Sequence, residues 1–258
     1  MNKTLLALLC FCCQIMFAQS IKVSYKQTFN FDYTNITPLY LYVDTKNNTS
    51  TLIRDFKSEA LHKNQKEVPV ADVYASIDRK IPYDYIFLNL NNKSISIYED
   101  FARKVYKVSD VFPEINWQLT NESKELQNVK VQKALGTYRG KTWEVWYAPS
   151  IPYSFGPWKL NGLPGLILEA KDTEGKMFFQ AEKIEYNQTC TICTPPTKDV
   201  HKELSLKEYL MLQDDFYNNF EADLPRGTTV TYEKKSFLTT ETKFEFPIKF
   251  LWEETKKQ

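Results

Sequence analysis

The residues that could do chemistry are few. Cys190-Thr191-Ile192-Cys193 places two thiols close enough to react with each other, and in an oxidising compartment the first reading of such a pair is a local disulfide. A redox-active pair would sit at a helix N-terminus, whose dipole lowers a thiol pKa, whereas here Thr194-Pro195-Pro196 follows and the next helix signal comes only at Ser205. A metal site would need more ligands. His201 is the nearest, with Met177 or Met211 suited to a soft copper ion; no metal or cofactor is assigned on so thin a set. His62 and His201 are the only histidines, and neither a Gly-x-Ser-x-Gly elbow nor a His-Glu-x-x-His helix occurs. Glu169, Asp172 and Glu174 could pair as carboxylates for glycoside chemistry, but Asp172 and Glu174 read more simply as turn residues. Trp143, Trp146 and Trp158 could stack on sugars, but aromatics at alternating strand positions are usually core.

One segment breaks every regular pattern. Residues 149–165 hold four of the 12 prolines and three of the 7 glycines, which gives a loop of specified shape, since Pro fixes φ and Gly opens positive φ. Gly156, Pro157, Gly162, Pro164 and Gly165 would set that shape. The loop also carries Tyr153, Phe155, Trp158, Leu160 and Leu163. Such an apolar loop either folds down as a plug for the core or presents a binding surface. Tyr153, Phe155, Trp158 and Leu163 are the candidate binding residues, and both readings stay open at this point.

The compartment is written at the N-terminus. Lys3 precedes the apolar run from Leu5 to Phe17, and Ala18-Gln19-Ser20 ends it, the pattern of a secretory signal cleaved after Ala18. Cys10, Cys12 and Cys13 lie within that run and raise the alternative of a lipid-modified cysteine, but the residues before them are bulky where a lipidation site wants small ones. No later stretch is long and apolar enough to cross a bilayer, so the expectation is a periplasmic or secreted protein without a transmembrane segment. Basic residues number 33 against 32 acidic, and the excess cation, Lys3, sits in the leader. A balance this even gives no basic face for nucleic acid.

These residues must be positioned by strands. Hydrophobic residues make up 43% and aromatic ones 15%, a balance that favours pleated sheets. Ile21, Val23, Tyr25, Phe29 and Phe31 alternate along a first strand. Runs at 39–44 and 49–53 flank Asn47-Asn48, and runs at 83–90 and 94–98 flank Asn91-Asn92, with 101–108 as a third strand. Strands at 127–138 and 141–148 enclose Arg139-Gly140, and those at 166–171 and 176–186 enclose a turn at 172–175. Ser205 and Glu208 form a capping box ahead of Leu206, Tyr209, Leu210, Gln213, Phe216, Tyr217 and Phe220 at helical spacing. A shorter helix around Val70 to Asp78 and an edge strand from Phe244 to Trp252, interrupted by Pro247, complete the pattern. The expectation is a mainly β protein. Its architecture would be a curved antiparallel meander sheet or half-open barrel with one C-terminal helix packed on it, as a single domain over residues 19–258 after a signal peptide at 1–18.

Gly162-Leu163-Pro164-Gly165-Leu166-Ile167 resembles the signature of the GLPGLI family of Bacteroidetes envelope proteins. The preceding Trp146-Tyr147-Ala148-Pro149, Ile151-Pro152 and Gly156-Pro157-Trp158-Lys159 and the following Leu168-Glu169-Ala170 are similar too, so the resemblance covers about residues 130 to 186. It implies an envelope address and no mechanism. By analogy of shape with LolA-like and lipocalin-like carriers, the expected function is non-enzymatic binding of an apolar ligand or an envelope protein partner at the loop. The alternative, from another class, is an envelope enzyme or a metal-handling or redox factor centred on Cys190, Cys193 and His201.

Overall fold

The computed structural model describes residues 20–30, 34–55, 81, 83–195 and 197–219. The expected leader at 1–18 with Cys10, Cys12 and Cys13, His62, the helix near 70–78 and the strand at 244–252 lie outside the described residues.

Two meanders build one open sheet. The first runs β1 (Ser20–Asn30), β2 (Thr34–Asp44), β3 (Thr49–Asp55), β4 (Tyr83–Asn89), β5 (Ser94–Phe101) and β6 (Lys104–Ser109). The second runs β7 (Gln118–Leu126), β8 (Val129–Tyr138), β9 (Lys141–Ala148), β10 (Leu166–Asp172) and β11 (Met177–Tyr186). Strand β11 pairs antiparallel with β1 and so splices the meanders into one sheet. The last described strand, β12 (Val200–Ser205), lies parallel to β6, giving 12 described strands in the order β12-β6-β5-β4-β3-β2-β1-β11-β10-β9-β8-β7. The expected curved, mostly antiparallel sheet is therefore observed, unclosed.

Turn chemistry sets the strand limits. Arg139 and Gly140 adopt φ of 53° and 66°, both positive, as a two-residue hairpin of matching twist requires. The strand expected over 127–138 begins two residues later, because Gln127 and Asn128 form a turn at φ 51° and 59°. Likewise the run at 101–108 is split where Ala102 and Arg103 take φ of 50° and 61°. Strands β7 and β12 were not expected. Most of β7 is exposed and polar on both faces, and β12 carries His201-Lys202-Glu203, so neither shows the apolar alternation that marks a half-buried strand.

The sheet has two unlike faces. Alternation in β1 places Ile21, Val23, Tyr25, Gln27 and Phe29 on the inner face, where they meet Leu39, Leu41 and Val43 of β2 and the main core. On the outer face, Ile53, Tyr85 and Tyr98 form a smaller cluster. Against it lies a strap of residues 187–195, in which Cys190 and Cys193 are disulfide-bonded with Cα atoms 5.5 Å apart. Cys190, Ile192 and Cys193 pack on that cluster. The strap carries the chain from mid-sheet at β11 to the far edge at β12.

The helix α1 (Leu206–Asn219) starts where the sequence places it. Ser205 Oγ accepts the Glu208 amide at 3.3 Å, and Glu208 Oε2 accepts the Ser205 amide at 2.8 Å, the reciprocal capping box. The Ser205 amide also holds the Glu208 carboxyl below its usual range. Leu206, Tyr209, Leu210 and Gln213 are buried, and the Tyr209 ring lies 5.6 Å from that of Tyr106 in β6. Replacing Ser205 by Ala should destabilise the protein by about 1 kcal/mol. Thermal unfolding of the variant checks this, with the helical signal melting earlier.

Candidate binding site on the inner face

Residues 149–165 fold inward. Phe155, Trp158, Leu160 and Leu163 are all buried in the main core, and Tyr153 is half-buried against it. Backbone bonds fix the loop to the start of β10: Leu166 N–H donates to Ile151 O at 3.0 Å and Ile167 N–H to Phe155 O at 2.9 Å. Gly165 is confined by its neighbours, since a Cβ there would lie 2.3 Å from the Ala148 carbonyl oxygen. Gly162 adopts φ of 90°, a conformation that glycine takes without strain. Trp158 holds φ of 54° despite its bulk. Such a backbone costs on the order of 1 to 3 kcal/mol and persists only where the surroundings impose it. Here the Trp158 ring lies 5.2 Å from Tyr138 and 5.8 Å from Trp143.

The next residue supplies the anchor. The Lys159 ammonium is fully buried and sits 2.7 Å from Asp110 Oδ2. Arg139, at the β8–β9 turn, places Nη2 at 2.6 and 2.7 Å from the two oxygens of the same carboxylate. Burial alone would raise the Asp110 pKa, but the Lys159 and Arg139 cations outweigh it and hold the carboxyl below its usual range. Nearby, Trp117 Nε1 donates to Asn161 O at 2.8 Å. The loop is thus tied both to the β8–β9 hairpin and to the segment between β6 and β7.

Beside this plug lies a recess where the meanders join. Its described walls are Gln27, Leu39, Leu52, Arg54, Asp84, Ile86, Glu99, Trp158 and Phe179, around a cavity of about 20 Å³, room for one water-sized group. Register explains the grouping. Leu39 faces Arg54 and Arg54 faces Asp84 across β2, β3 and β4, and Glu99 on β5 accepts the Tyr209 hydroxyl at 2.9 Å. Gln27 is 1% exposed and its Oε1 has no hydrogen-bond partner among the described residues. A buried acceptor without a donor is costly, so this one marks a place where a donor is expected. Sequence reading missed Gln27, Arg54, Asp84 and Glu99. The available signal was phase: each lies two residues from an inward apolar side chain, Tyr25, Leu52, Ile86 or Ile97.

Of the four candidate loop residues, Trp158 alone lines the recess. Cys190 and Cys193 lie in the strap on the outer face, whereas His201 is edge-on to Tyr106 of the main core. The fold does not bring them together. Among the described residues no cluster of three His, Cys, Asp or Glu could hold a metal ion. Glu169 is bound to Lys124 at 2.8 Å, and Asp172 accepts the Met177 amide at 2.9 Å in the β10–β11 turn. Trp143 is core, and Trp146 lies beneath the Lys124 ammonium, 4.3 Å from its ring centre. No described helix is long and apolar enough to cross a membrane.

A family model described as a protein of unknown function (Porph_ging) matches residues 88–169. That stretch runs from β4 to β10 and contains Asp110, Arg139, Lys159 and the whole loop. No curated protein sequence matches at a significant level. Two crystal forms of PNGF-II are similar in fold, each with a TM-score of 0.50 at 18% identity, over 78% and 76% of this chain. The chain spans 33% of the length of those proteins. A putative outer membrane lipoprotein-sorting protein domain from Vibrio parahaemolyticus matches over 67% of this chain and 87% of its own, at 8% identity and a TM-score of 0.24.

Two outcomes follow from the buried anchor. Lys159→Met leaves Asp110 buried beside Arg139 alone and should cost about 3 to 5 kcal/mol, measured by denaturant unfolding. The lowered Asp110 pKa adds stability that is fully present above the ordinary carboxylate value of about 4 and is lost as pH falls toward the folded-state value. Acid unfolding of Asp110→Asn should lack that share of the pH dependence.

Proposed function

We propose that this is an exported GLPGLI-type protein of the cell envelope, one domain over residues 19–258, that binds and does not catalyse. Its ligand is amphipathic. A polar terminal group with a hydrogen to donate enters the recess beside Trp158, and the apolar remainder lies against the aliphatic wall of Leu39, Leu52 and Ile86. The observation that carries this reading is the buried, unpartnered Gln27 Oε1 in a recess that also holds Arg54, Asp84 and Glu99. The Gln27 amide oxygen offers an acceptor to an ammonium or hydroxyl group, and the partnered carboxylates of Asp84 and Glu99, with the Arg54 guanidinium, make the surroundings polar. The recess is too small for a whole ligand, so selection falls on the end group.

The loop contributes through Trp158, whose indole forms a wall of the recess. Phe155 and Leu163 support it from within the core, and Tyr153 from its half-buried position. The proposal thereby joins both readings of the loop, a plug whose one face is a wall of the site. A site centred on Cys190, Cys193 and His201 has the less support, because those residues face opposite sides of the sheet.

The test is thermal shift of the leaderless protein with dodecylamine, dodecanol and laurate, compared with Gln27→Leu. Dodecylamine and dodecanol should raise the melting temperature of the wild type and laurate should not. Gln27→Leu should be at least as stable as wild type without ligand, since an unsatisfied buried acceptor costs about 1 to 3 kcal/mol, and should lose the response. An equal response of both proteins to all three probes would overturn the reading.

A further inference from the structure

The outer face carries a larger cavity that the inner-face reading does not use. It measures about 420 Å³, within the range of roughly 300 to 1,000 Å³ typical of small-molecule sites. Its walls come from three places: the β2–β3 hairpin, the first residue of β1 and the disulfide strap. Tyr42, Thr49 and Thr51 line one side, Gln188 and Thr189 another, and the Cys190–Cys193 disulfide closes the end.

The chemistry of this lining is specific. Asp44, its only carboxylate among the described residues, is already engaged: Oδ1 accepts the Lys46 and Asn47 amides at 3.0 Å each, and Oδ2 accepts Asn47 Nδ2 at 2.6 Å. Among the described lining residues Lys46 is then the charged group left to a ligand, and it stands exposed at the hairpin tip. The other polar groups are neutral. Each threonine hydroxyl can both donate and accept, and Gln188, whose Nε2 already donates to Tyr186 O at 3.2 Å, keeps its second amide hydrogen and Oε1. Tyr42 is half-buried and lines the cavity, with the Lys22 ammonium 5.7 Å from its ring centre, so a ligand would use the other ring face, and the disulfide adds a second apolar surface. An aromatic ring beside a set of neutral donors and acceptors fits a ligand with apolar C–H faces and many hydroxyls.

We propose that this outer-face cavity binds a neutral saccharide of about two units, with one ring against Tyr42 and its hydroxyls on Thr49, Thr51 and Thr189. The site is separate from the inner-face recess, because Tyr42 and the disulfide pack with the outer-face cluster. Two sites on opposite faces would let the chain hold an amphipathic ligand and a glycan at once.

The experiment is calorimetric titration of the leaderless protein with maltose, cellobiose, lactose and diacetylchitobiose, each to about 10 mM, repeated on Tyr42→Ala, Tyr42→Phe, Thr51→Val and Gln27→Leu. At least one disaccharide should bind saturably. Tyr42→Ala should weaken it about tenfold or more, Thr51→Val should weaken it less, and Tyr42→Phe and Gln27→Leu should leave it within about twofold. If Tyr42→Ala does not fold, saturation-transfer NMR on the wild type replaces it, with transfer expected from the Tyr ring to the sugar C–H protons. Absence of saturation by all four sugars would overturn the proposal. Binding that Tyr42→Ala leaves intact, or sugar protons receiving no transfer from aromatic rings, would do the same.

Discussion

A lysine with no exposure to solvent needs a partner, and Lys159 has one in Asp110 at 2.7 Å. A buried ion pair is an uncertain source of net stability, because desolvation offsets much of the attraction, but removing one partner is strongly destabilising. Its clearer consequence is positional. The pair fixes the residue after Trp158, so the indole is held between Tyr138 and Trp143 in a backbone conformation that bulky residues avoid. Arg139, bound to both oxygens of the same carboxylate, brings the β8–β9 turn into the arrangement. Loop, hairpin and the β6–β7 segment therefore depend on one carboxylate.

The plug matters because it stands where the sheet is spliced. Strands β1 and β11 join the meanders, and the Tyr25 hydroxyl donates to Ile167 O, linking the splice to the start of β10. Desolvation pushes the Tyr25 pKa up, so it stays a neutral donor. Phe179, opposite Gln27 across that splice, lies 6.2 Å from Trp143. Aromatic packing thus surrounds one side of the recess, and the other side carries Arg54, Asp84 and Glu99. Polar groups enclosed this way must be partnered to be kept in a core, and Gln27 Oε1 lacks a partner among the described residues.

Much of this fold was legible in the sequence because most strands are half-buried and alternate cleanly. Asn47-Asn48, Asn91-Asn92 and Arg139-Gly140 marked turns, and Ser205 with Glu208 marked the helix. Strands β7 and β12 were not legible. They lie at the two edges, where much of the strand faces solvent and the apolar period is lost. The site was less legible than the fold. The loop stood out through its Pro, Gly and aromatic content, but its anchor did not, since Asp110 lies 49 positions from Lys159 and only the fold pairs them. Gln27, Arg54, Asp84 and Glu99 were hidden for a related reason: a polar residue at an inward strand position looks like a lapse in pattern until neighbouring strands align several of them.

On the proposed function, the Gln27 acceptor that lacks a partner among the described residues receives a donor from an amphipathic ligand. A crystal structure of the leaderless protein soaked with dodecylamine tests it most directly. The account predicts the amine nitrogen within about 2.7 to 3.2 Å of Gln27 Oε1, with the alkyl chain leaving the recess past Leu39, Leu52 and Ile86. An amine bound elsewhere, with Gln27 bonded only to water, would contradict it.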